Sequence, residues 1–296
     1  MLASGPGCPG RATPTDRRTP ASDAKVPVQS DTIIGVPFEE AHPLHSMLCD
    51  IGEPDGPIGP QISRRLFQIR MADSAGRRSD ASILINRMYA TRGYRSSGLP
   101  ERAAPSRITL VASEHDEIIG TITIGFDSPA GLLVEDLFAT ETQELRRAGR
   151  TVCEFTKLAM DSVVRSTRVL ATLFHVAFIY SHRIVGASDL LIEVNPRHTT
   201  YYKRMLGFEV VAPERLNHRV NAPAVLMRLD FMHAHAQIAQ FGGTLRPVGP
   251  ARSLYPYFFS PADEAGISAR LHGADGPRGV GPSLAHGSAQ GDRCGA

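Results

Sequence analysis

The chain has 296 residues, a formal net charge of +2 and four cysteines. A charge so close to neutral does not by itself indicate nucleic-acid binding. The cysteines lie far apart and form neither a zinc-ligand spacing nor a disulfide framework, which is typical of a reducing cytosol. The N-terminus lacks the apolar core of a secretory signal, and no apolar run is long enough to span a bilayer. The composition therefore predicts a cytoplasmic protein with no integral membrane contact.

Both ends of the chain are rich in Pro, Gly and Ser and show no sustained periodicity. Such segments bury too little apolar surface to offset their chain entropy. We therefore predict disordered tails over residues 1–60 and 242–296 and one domain over residues 61–241. Within the second tail, the aromatic cluster Ser253 to Ser260 (SLYPYFFS) is a candidate for docking onto that domain.

The first half of the domain predicts a strand, a helix and a hairpin. In chain order these are a strand over Phe67 to Met71, a helix over Asp80 to Tyr89 capped by Asp80, and paired strands over Arg107 to Ala112 and Ile118 to Phe126. The second half alternates strands and helices. It predicts a short helix over Thr140 to Arg150, a strand over Thr151 to Met160, a long apolar helix over Arg168 to Gly186, a strand over Ala224 to Leu229 and a closing helix over Phe231 to Phe241.

The stretch from Asp189 to Phe208, DLLIEVNPRHTTYYKRMLGF, organises the second half. Its apolar start predicts a buried strand, broken only by a glutamate. Asn195 is a suitable N-cap and Pro196 suits the first helical position, while Gly207 ends the short helix that follows.

Together with its flanks, this stretch resembles the late β–α–β segment of the GCN5-related N-acyltransferase (GNAT) fold. The order of predicted elements is that of the same fold. We therefore expect an α+β architecture, an α/β sandwich in which a mixed central sheet is flanked by helices.

The segment MDSVVRSTRV stands where most GNAT enzymes bind the coenzyme A pyrophosphate with a glycine-containing loop, and it contains no glycine. The run ELRRAGRTVCEFTKLAMD resembles the acyl-homoserine lactone synthases. It resembles still more closely the long-chain N-acyl amino acid synthases, as do TITIGFDSPAGLLVEDLF, VNPRHTTYYKRMLGFE and ERLNHRVNAPAVLMRLD. The resemblance covers about Ile69 to Phe241.

This resemblance implies transfer of a fatty acyl group from acyl carrier protein, or alternatively from acyl-CoA, to the α-amine of an amino acid. The donor is a co-substrate, so no permanently bound cofactor and no metal are expected. Two rivals remain: a conventional GNAT acetyltransferase using acetyl-CoA, and a catalytically silent module that binds acyl chains or acyl carrier protein.

Glu154, on the predicted fourth strand, is the first candidate for the general base or the group that orients the amine. Its alternative role is an ion pair with Lys157 or a nearby arginine. Lys157 stands where the resembled families carry arginine, so it keeps the charge of a substrate-carboxylate clamp but not the bidentate fork. Glu135 and Asp136 are candidates for the amino-acid pocket or for capping the next helix.

Arg146, Arg147 and Arg150 are candidates for docking the acidic acyl carrier protein, or else belong to an ordinary solvated face in which Glu141 pairs with Arg146. Tyr202 is a candidate general acid, although packing under the long helix fits its spacing from Gly207 better. His175 and His182 are expected in the core or at its rim.

Overall fold

The computed structural model describes residues 32–38, 65–95, 98–162, 166–244 and 252–274. These residues form a mixed sheet of eight strands with helices on both faces. None of the described helices combines the length and the hydropathy that a membrane-spanning helix needs.

The eight strands are β1 (Thr32–Pro37), β2 (Leu66–Met71), β3 (Arg107–Glu114), β4 (Glu117–Phe126), β5 (Val152–Met160), β6 (Asp189–Val194), β7 (Glu209–Asn217) and β8 (Ala222–Asp230). They lie side by side in the order β1-β2-β3-β4-β5-β6-β8-β7. All neighbours are antiparallel except β5 and β6, which are parallel. The predicted hairpin is confirmed as β3 and β4.

The helices are α1 (Ala75–Ala90), α2 (Glu135–Arg147), α3 (Thr167–Phe178), α4 (Thr199–Leu206), α5 (Phe231–Phe241) and α6 (Pro261–Ala274). A π-helical turn, Ile179–Ile184, extends α3, so the long apolar helix runs nearly to Gly186 as predicted. The closing helix of the predicted domain is confirmed as α5.

Alternate residues of a strand point to opposite faces of the sheet. One face, here called the packed face, is covered by α3, α4, α5 and α6 and holds the largest cluster of buried apolar side chains. The other, here called the cavity face, is covered by α1 and α2, which form three smaller clusters with the strands. The active-site candidates described below lie on the cavity face.

The predicted structure of residues 189–208 is confirmed. After β6, the Asn195 side chain accepts a hydrogen bond from the Arg197 N–H (3.2 Å) and caps a 3₁₀ turn, Pro196–His198, that leads into α4. Gly207 ends α4 with a positive φ of 81°. A Cβ there would lie 2.4 Å from the His233 ring, so both backbone conformation and space require glycine.

Two helix starts differ from the prediction. The first helix begins at Ala75 rather than near Asp80, because the Ser74 hydroxyl accepts a hydrogen bond from the Arg77 N–H (3.3 Å) and acts as the N-cap. The charged helix α2 begins at Glu135 rather than at Thr140. Its early start runs through a non-helical residue, Phe138, whose ring is buried against the sheet.

Both predicted tails contribute to the folded domain, which corrects the predicted boundaries. Strand β1 lies within residues 1–60 and buries Ile33 and Val36. In the second tail, residues 252–274 form a further element, here called the C-terminal segment, which includes α6. It buries five apolar side chains in the core of the packed face: Leu254, Tyr255, Phe258, Ile267 and Leu271. Apart from residues 38 and 242–244, the rest of the predicted tails lies outside the described residues.

A buried polar cluster ties the C-terminal segment to α3. The His175 Nδ1 accepts a hydrogen bond from the Phe259 N–H (2.9 Å), so its Nε2 carries the proton donated to Glu264 (3.1 Å). Glu264 also accepts a hydrogen bond from Arg183 (2.7 Å). Although burial opposes it, the hydrogen bonds from His175 and Arg183 lower the pKa of Glu264 to about 2. The cluster therefore anchors α6 through a fully partnered carboxylate.

Candidate active site

The two parallel strands separate part-way along their length. Residues of β5 and β6 pair only from Val152 with Asp189 to Glu154 with Leu191. Beyond that point β5 continues beside β4, while β6 continues beside β8 to Val194. The far end of β5 therefore presents one edge that no strand among the described residues occupies, and a ligand can approach its peptide groups there.

A β-bulge shapes the same end of β5. Lys157 and Leu158 together face Ile122 of β4, and Lys157 has a positive φ of 50°. The Thr121 hydroxyl donates a hydrogen bond to the Lys157 carbonyl (2.8 Å) and holds this conformation. A positive φ in a lysine is uncommon and is typical of functional sites. The Lys157 ammonium donates a hydrogen bond to the Gly98 carbonyl (3.0 Å).

A cavity of about 360 Å³ opens where the strands separate. Its walls come from α1, from the loop after it, from strands β3 to β6 and from the β7–β8 turn. Thr156 of β5 lines the cavity, and its buried hydroxyl has no hydrogen-bond partner in the part of the chain that the structure describes. This hydroxyl can donate to or accept from a ligand.

The charged side chains that line the cavity are mostly basic. They are Arg78, Arg107, Lys157 and Arg219, against a single carboxylate, Glu193. Burial lowers the pKa of Lys157, and the nearby guanidinium groups of Arg107 and Arg219 lower it further. Lys157 therefore lies near two further cations, which are themselves paired with Glu154 and Asp136.

Glu193 is the lining carboxylate of this site, and the sequence analysis did not select it. It lies on β6 beyond the last pairing with β5, and its side chain is 9% exposed. Asn217 (3.2 Å) and Arg219 both donate hydrogen bonds to its carboxylate. Burial raises the pKa of Glu193 to about 7, although Arg219 opposes the shift. Its signal was a single charged residue inside the apolar run DLLIEV.

Comparison with protein families identifies a family to which this chain is similar. The family described as N-acyl amino acid synthase FeeM matches residues 80–230, just over half of the 296-residue chain. The chain belongs to this family. The resemblance predicted from the sequence motifs is thereby confirmed, and the chain is an acyltransferase. Among curated proteins no significant match was found.

Solved structures include the family's namesake. FeeM, an N-acyl amino acid synthase from uncultured soil microbes, is 27% identical with a TM-score of 0.53, over 59% of this chain and 96% of FeeM. This match confirms the predicted GNAT fold. Less similar are an acyl-CoA N-acyltransferase from Pseudomonas aeruginosa (14% identity, TM-score 0.39, 55% of this chain and 97% of that one) and the acyl-homoserine lactone synthase LasI (13%, 0.40, 56% and 89%).

Glu154, the predicted base of this FeeM-family site, is 0% exposed and does not line the cavity. One of its oxygens accepts hydrogen bonds from Arg107 (2.7 Å) and the Leu133 N–H (2.9 Å), and the other from the Val134 N–H (2.9 Å). It thus holds the loop that carries Leu133 into the cavity wall. Its ion pair is with Arg107, not with Lys157. A catalytic role for Glu154 stays a prediction, and these contacts favour the alternative, positioning role.

Glu135 and Asp136 do not line the cavity either. Glu135 accepts hydrogen bonds from the Leu132 N–H (2.8 Å) and from Arg146 (2.6 Å), so it closes the turn before α2. Asp136 forms an ion pair with Arg219, which does line the cavity. Of the predicted substrate-binding residues, the structure therefore places Lys157 at the cavity and Asp136 one contact away.

Two of the three predicted docking arginines form internal ion pairs. Arg146 bonds to Asp127 (2.7 Å) as well as to Glu135, and Arg150 bonds to the buried Asp189 (2.5 Å) and to Asp230 (2.8 Å). The predicted pair of Glu141 with Arg146 is wrong, because Glu141 pairs with Arg215. Arg147 is exposed. Donor docking by these arginines stays a prediction. The structure favours it only for Arg147, because Arg146 and Arg150 already form internal ion pairs.

Tyr202 packs against Phe174 and Phe208 and does not line the cavity. Burial raises its pKa, which makes the phenol a poorer acid. The packing interpretation therefore fits Tyr202 better than the role of general acid. His175 is buried in the core, and His182 packs against Phe178 and Phe231 at its rim and donates a hydrogen bond from Nδ1 to the Ala187 carbonyl (2.8 Å).

Proposed function

We propose that this acyltransferase joins a long-chain acyl group, carried by acyl carrier protein, to the α-amine of a free amino acid. Membership of the N-acyl amino acid synthase family supports the reaction type. The observation that carries the choice of acceptor is the cavity's charge. The lining cations Arg78, Arg107, Lys157 and Arg219 outnumber Glu193 even when the carboxylates of Glu154 and Asp136, which pair with Arg107 and Arg219, are included. A free amino acid brings a carboxylate that such a cluster favours, whereas a simple amine does not.

Lys157 is the cation best placed to bind the carboxylate, since the β-bulge sets its position. The guanidinium of Arg219 donates a hydrogen bond to Glu193, and that of Arg107 donates one to Glu154. The unpaired edge of β5 and the Thr156 hydroxyl supply donors for the thioester carbonyl as it becomes an oxyanion. The donor is proposed to be a carrier protein because residues 160–169 contain no glycine with which to bind a pyrophosphate.

The test uses the purified full-length chain with three donors: long-chain acyl carrier protein, the matching acyl-CoA, and acetyl-CoA. Each is offered an amino acid or its amide, which lacks the carboxylate. We expect N-acyl amino acid from the carrier-protein donor and little product from the amide. Acetyl transfer alone would indicate a conventional acetyltransferase, and binding of acyl carrier protein without product would indicate a silent module.

Lys157→Met tests the acceptor site directly. A hydrogen bond to a charged group contributes about 1.5–3 kcal/mol, so KM for the amino acid should rise roughly 10- to 100-fold while KM for the amide changes little. The matched control is Lys203→Met, an exposed lysine on α4 outside the cavity lining. An equal effect of Lys157→Met on both acceptors would contradict a carboxylate at this site.

A further inference from the structure

Glu193 occupies an unusual place for a carboxylate. Residues of β6 alternate between the two faces, so Glu193 shares the cavity face with Leu191, which belongs to the α2 cluster. Pairing with β8 continues on one side of Glu193, opposite Leu226, while β5 has already separated on the other. The side chain is therefore fixed by a paired strand yet borders the open space between β5 and β6.

Two hydrogen bonds hold the Glu193 carboxylate and leave part of its acceptor capacity available. Asn217 donates to one oxygen and Arg219 to the other. A carboxylate has about four acceptor positions, so two remain for a ligand in the cavity. Glu154, by contrast, accepts three hydrogen bonds, from Arg107, Leu133 and Val134, and it is fully buried away from the cavity.

We infer that Glu193 is the catalytic residue that binds the acceptor's ammonium group and takes its proton. This inference rests on the proposed function, because it requires an amine acceptor in the cavity. Glu193 is also the one carboxylate among the described residues that line the cavity. No other described lining group can both attract an ammonium and accept its proton.

The proton and bond changes balance without a further reactant. The ammonium gives one proton to Glu193, and the freed nitrogen lone pair attacks the thioester carbonyl carbon. A C–N bond forms and the C–S bond breaks. The second proton lost by the nitrogen goes to the departing sulfur, which leaves as a thiol. Glu193 then releases its proton to water, and the products are an amide, a thiol and one proton.

The surroundings of Glu193 suit a base that works near neutral pH. Three nearby charged groups affect the pKa of Glu193: Arg219 on the β7–β8 turn, Glu154 on β5 and Asp136 on α2. Burial raises the pKa of Tyr89 on α1, and the charge of Glu193 adds to that shift. Lys157 and Arg107 line the same cavity. Burial, with the negative charges of Glu154 and Asp136, raises the pKa of Glu193 to about 7 against the pull of Arg219. The base form therefore dominates above this pH and is lost below it.

The experiment compares the unaltered chain with Glu193→Gln, each full length, across pH 5.5–9 (about one and a half pH units below the pKa of Glu193 to two above it). The unaltered chain should lose about tenfold in kcat/KM per pH unit below about 7. Glu193→Gln should fall roughly 100- to 10,000-fold and lose the levelling above pH 7, because it can use only acceptor amine that is already unprotonated in solution. Glu193→Asp, which keeps a carboxylate, should recover part of the rate and the dependence. Melting temperature is measured for each.

Two further arms separate proton transfer from folding. Asp136→Asn is the matched control, because Asp136 also binds Arg219 but does not line the cavity. It should keep a fall of the same slope at low pH, with the midpoint shifted to lower pH because the charge of Asp136 no longer raises the pKa of Glu193. The second arm replaces the amino acid by aminooxyacetate, which keeps the carboxylate but has a nitrogen that is unprotonated at neutral pH. With this acceptor, Glu193→Gln should come within about tenfold of the unaltered chain.

The outcomes are distinguishable. If the unaltered chain forms no N-acyl amino acid, the proposed function fails and this inference with it. If the unaltered chain is active and folded Glu193→Gln keeps the same pH dependence, the inference alone is overturned. Equal loss with the amino acid and with aminooxyacetate would also overturn it, since Glu193 would then not act on the proton.

Discussion

The two faces of the sheet differ in how completely their buried polar groups are paired. On the packed face, the His175–Glu264–Arg183 cluster is complete, because every ring nitrogen of His175 and both oxygens of Glu264 have partners. On the cavity face, four basic side chains meet one lining carboxylate, and the Thr156 hydroxyl has no partner among the described residues. Satisfied buried groups indicate a structural role, whereas an excess of charge beside a cavity indicates a ligand.

This comparison separates stability from activity. Changes to the His175–Glu264–Arg183 cluster should affect folding first, since the hydrogen bonds of that cluster are already complete. Changes at the cavity should affect acyl transfer first. Glu154 tests this comparison most directly. It lies next to the cavity, yet both of its carboxylate oxygens accept hydrogen bonds, as those of Glu264 do.

The largest effect is expected from ending the chain after Phe241. This removes Leu254, Tyr255, Phe258, Ile267 and Leu271 from the core. At about 1.5–3 kcal/mol for each buried side chain, the loss is on the order of 10 kcal/mol, comparable to the whole stability of a typical domain. We expect the shortened chain to be unfolded or aggregated, measured by circular dichroism and thermal unfolding.

The control for this truncation ends the chain after Ala274, which keeps all five buried side chains. This version should unfold within a few degrees of the full-length chain. A cooperative, equally stable domain ending at Phe241 would instead restore the domain boundary that was predicted from composition.

A smaller effect is expected from Glu154→Gln. Its amide keeps one acceptor oxygen for the three donors that Glu154 now serves, and it leaves the Arg107 charge without its partner. Removing one member of a buried ion pair costs about 3–5 kcal/mol. We expect a lower melting temperature together with reduced acyl transfer, because the loop that carries Leu133 is released.

Glu135→Gln is the matched control for that change, since Glu135 supports the same loop through Leu132 but is more exposed. Its cost should be about 1 kcal/mol. A Glu154→Gln protein of normal stability whose rate falls 100-fold or more would support the catalytic role that the sequence first predicted for Glu154.

The smallest effect is expected from Arg147→Glu. The side chain is exposed, so stability should change by no more than about 0.5 kcal/mol. If Arg147 contributes to donor docking, KM for acyl carrier protein should rise a few-fold at low salt, and the effect should shrink as salt increases. Arg146→Glu gives the contrast, because it would place a third negative charge beside Asp127 and Glu135 and should lower the melting temperature. Unchanged KM for Arg147→Glu at low salt would move docking elsewhere.

Local signals in the sequence were enough for much of the fold. Asn195, Pro196 and Gly207 act through neighbouring backbone groups, so their roles could be assigned from spacing alone. The start of α1 was placed too late because Asp80 and Ser74 are both good caps, and only the surrounding fold selects Ser74. The packing of SLYPYFFS was raised as an alternative, but composition favoured a disordered tail.

The site was harder to predict because the point at which β5 separates from β6 decides which side chains line the cavity. Glu154 and Glu193 both interrupt apolar strands, and sequence alone does not tell which one faces a cavity. That distinction follows from the last pairing of β5 with β6 and from three hydrogen bonds contributed by residues 20 to 47 positions away. The sequence likewise favoured Arg146 and Arg150 for docking because their acidic partners are distant along the chain.

The C-terminal segment also has a consequence for how the protein is made. Domains generally begin to fold while synthesis proceeds from the N-terminus. The buried faces of α3 and α5 are complete only when Leu254 to Leu271 have left the ribosome. Until then a nascent chain leaves Phe174, Phe178 and Phe231 uncovered, and chaperones bind apolar surfaces of this kind. The yield of folded protein in a host should therefore depend on chaperone supply.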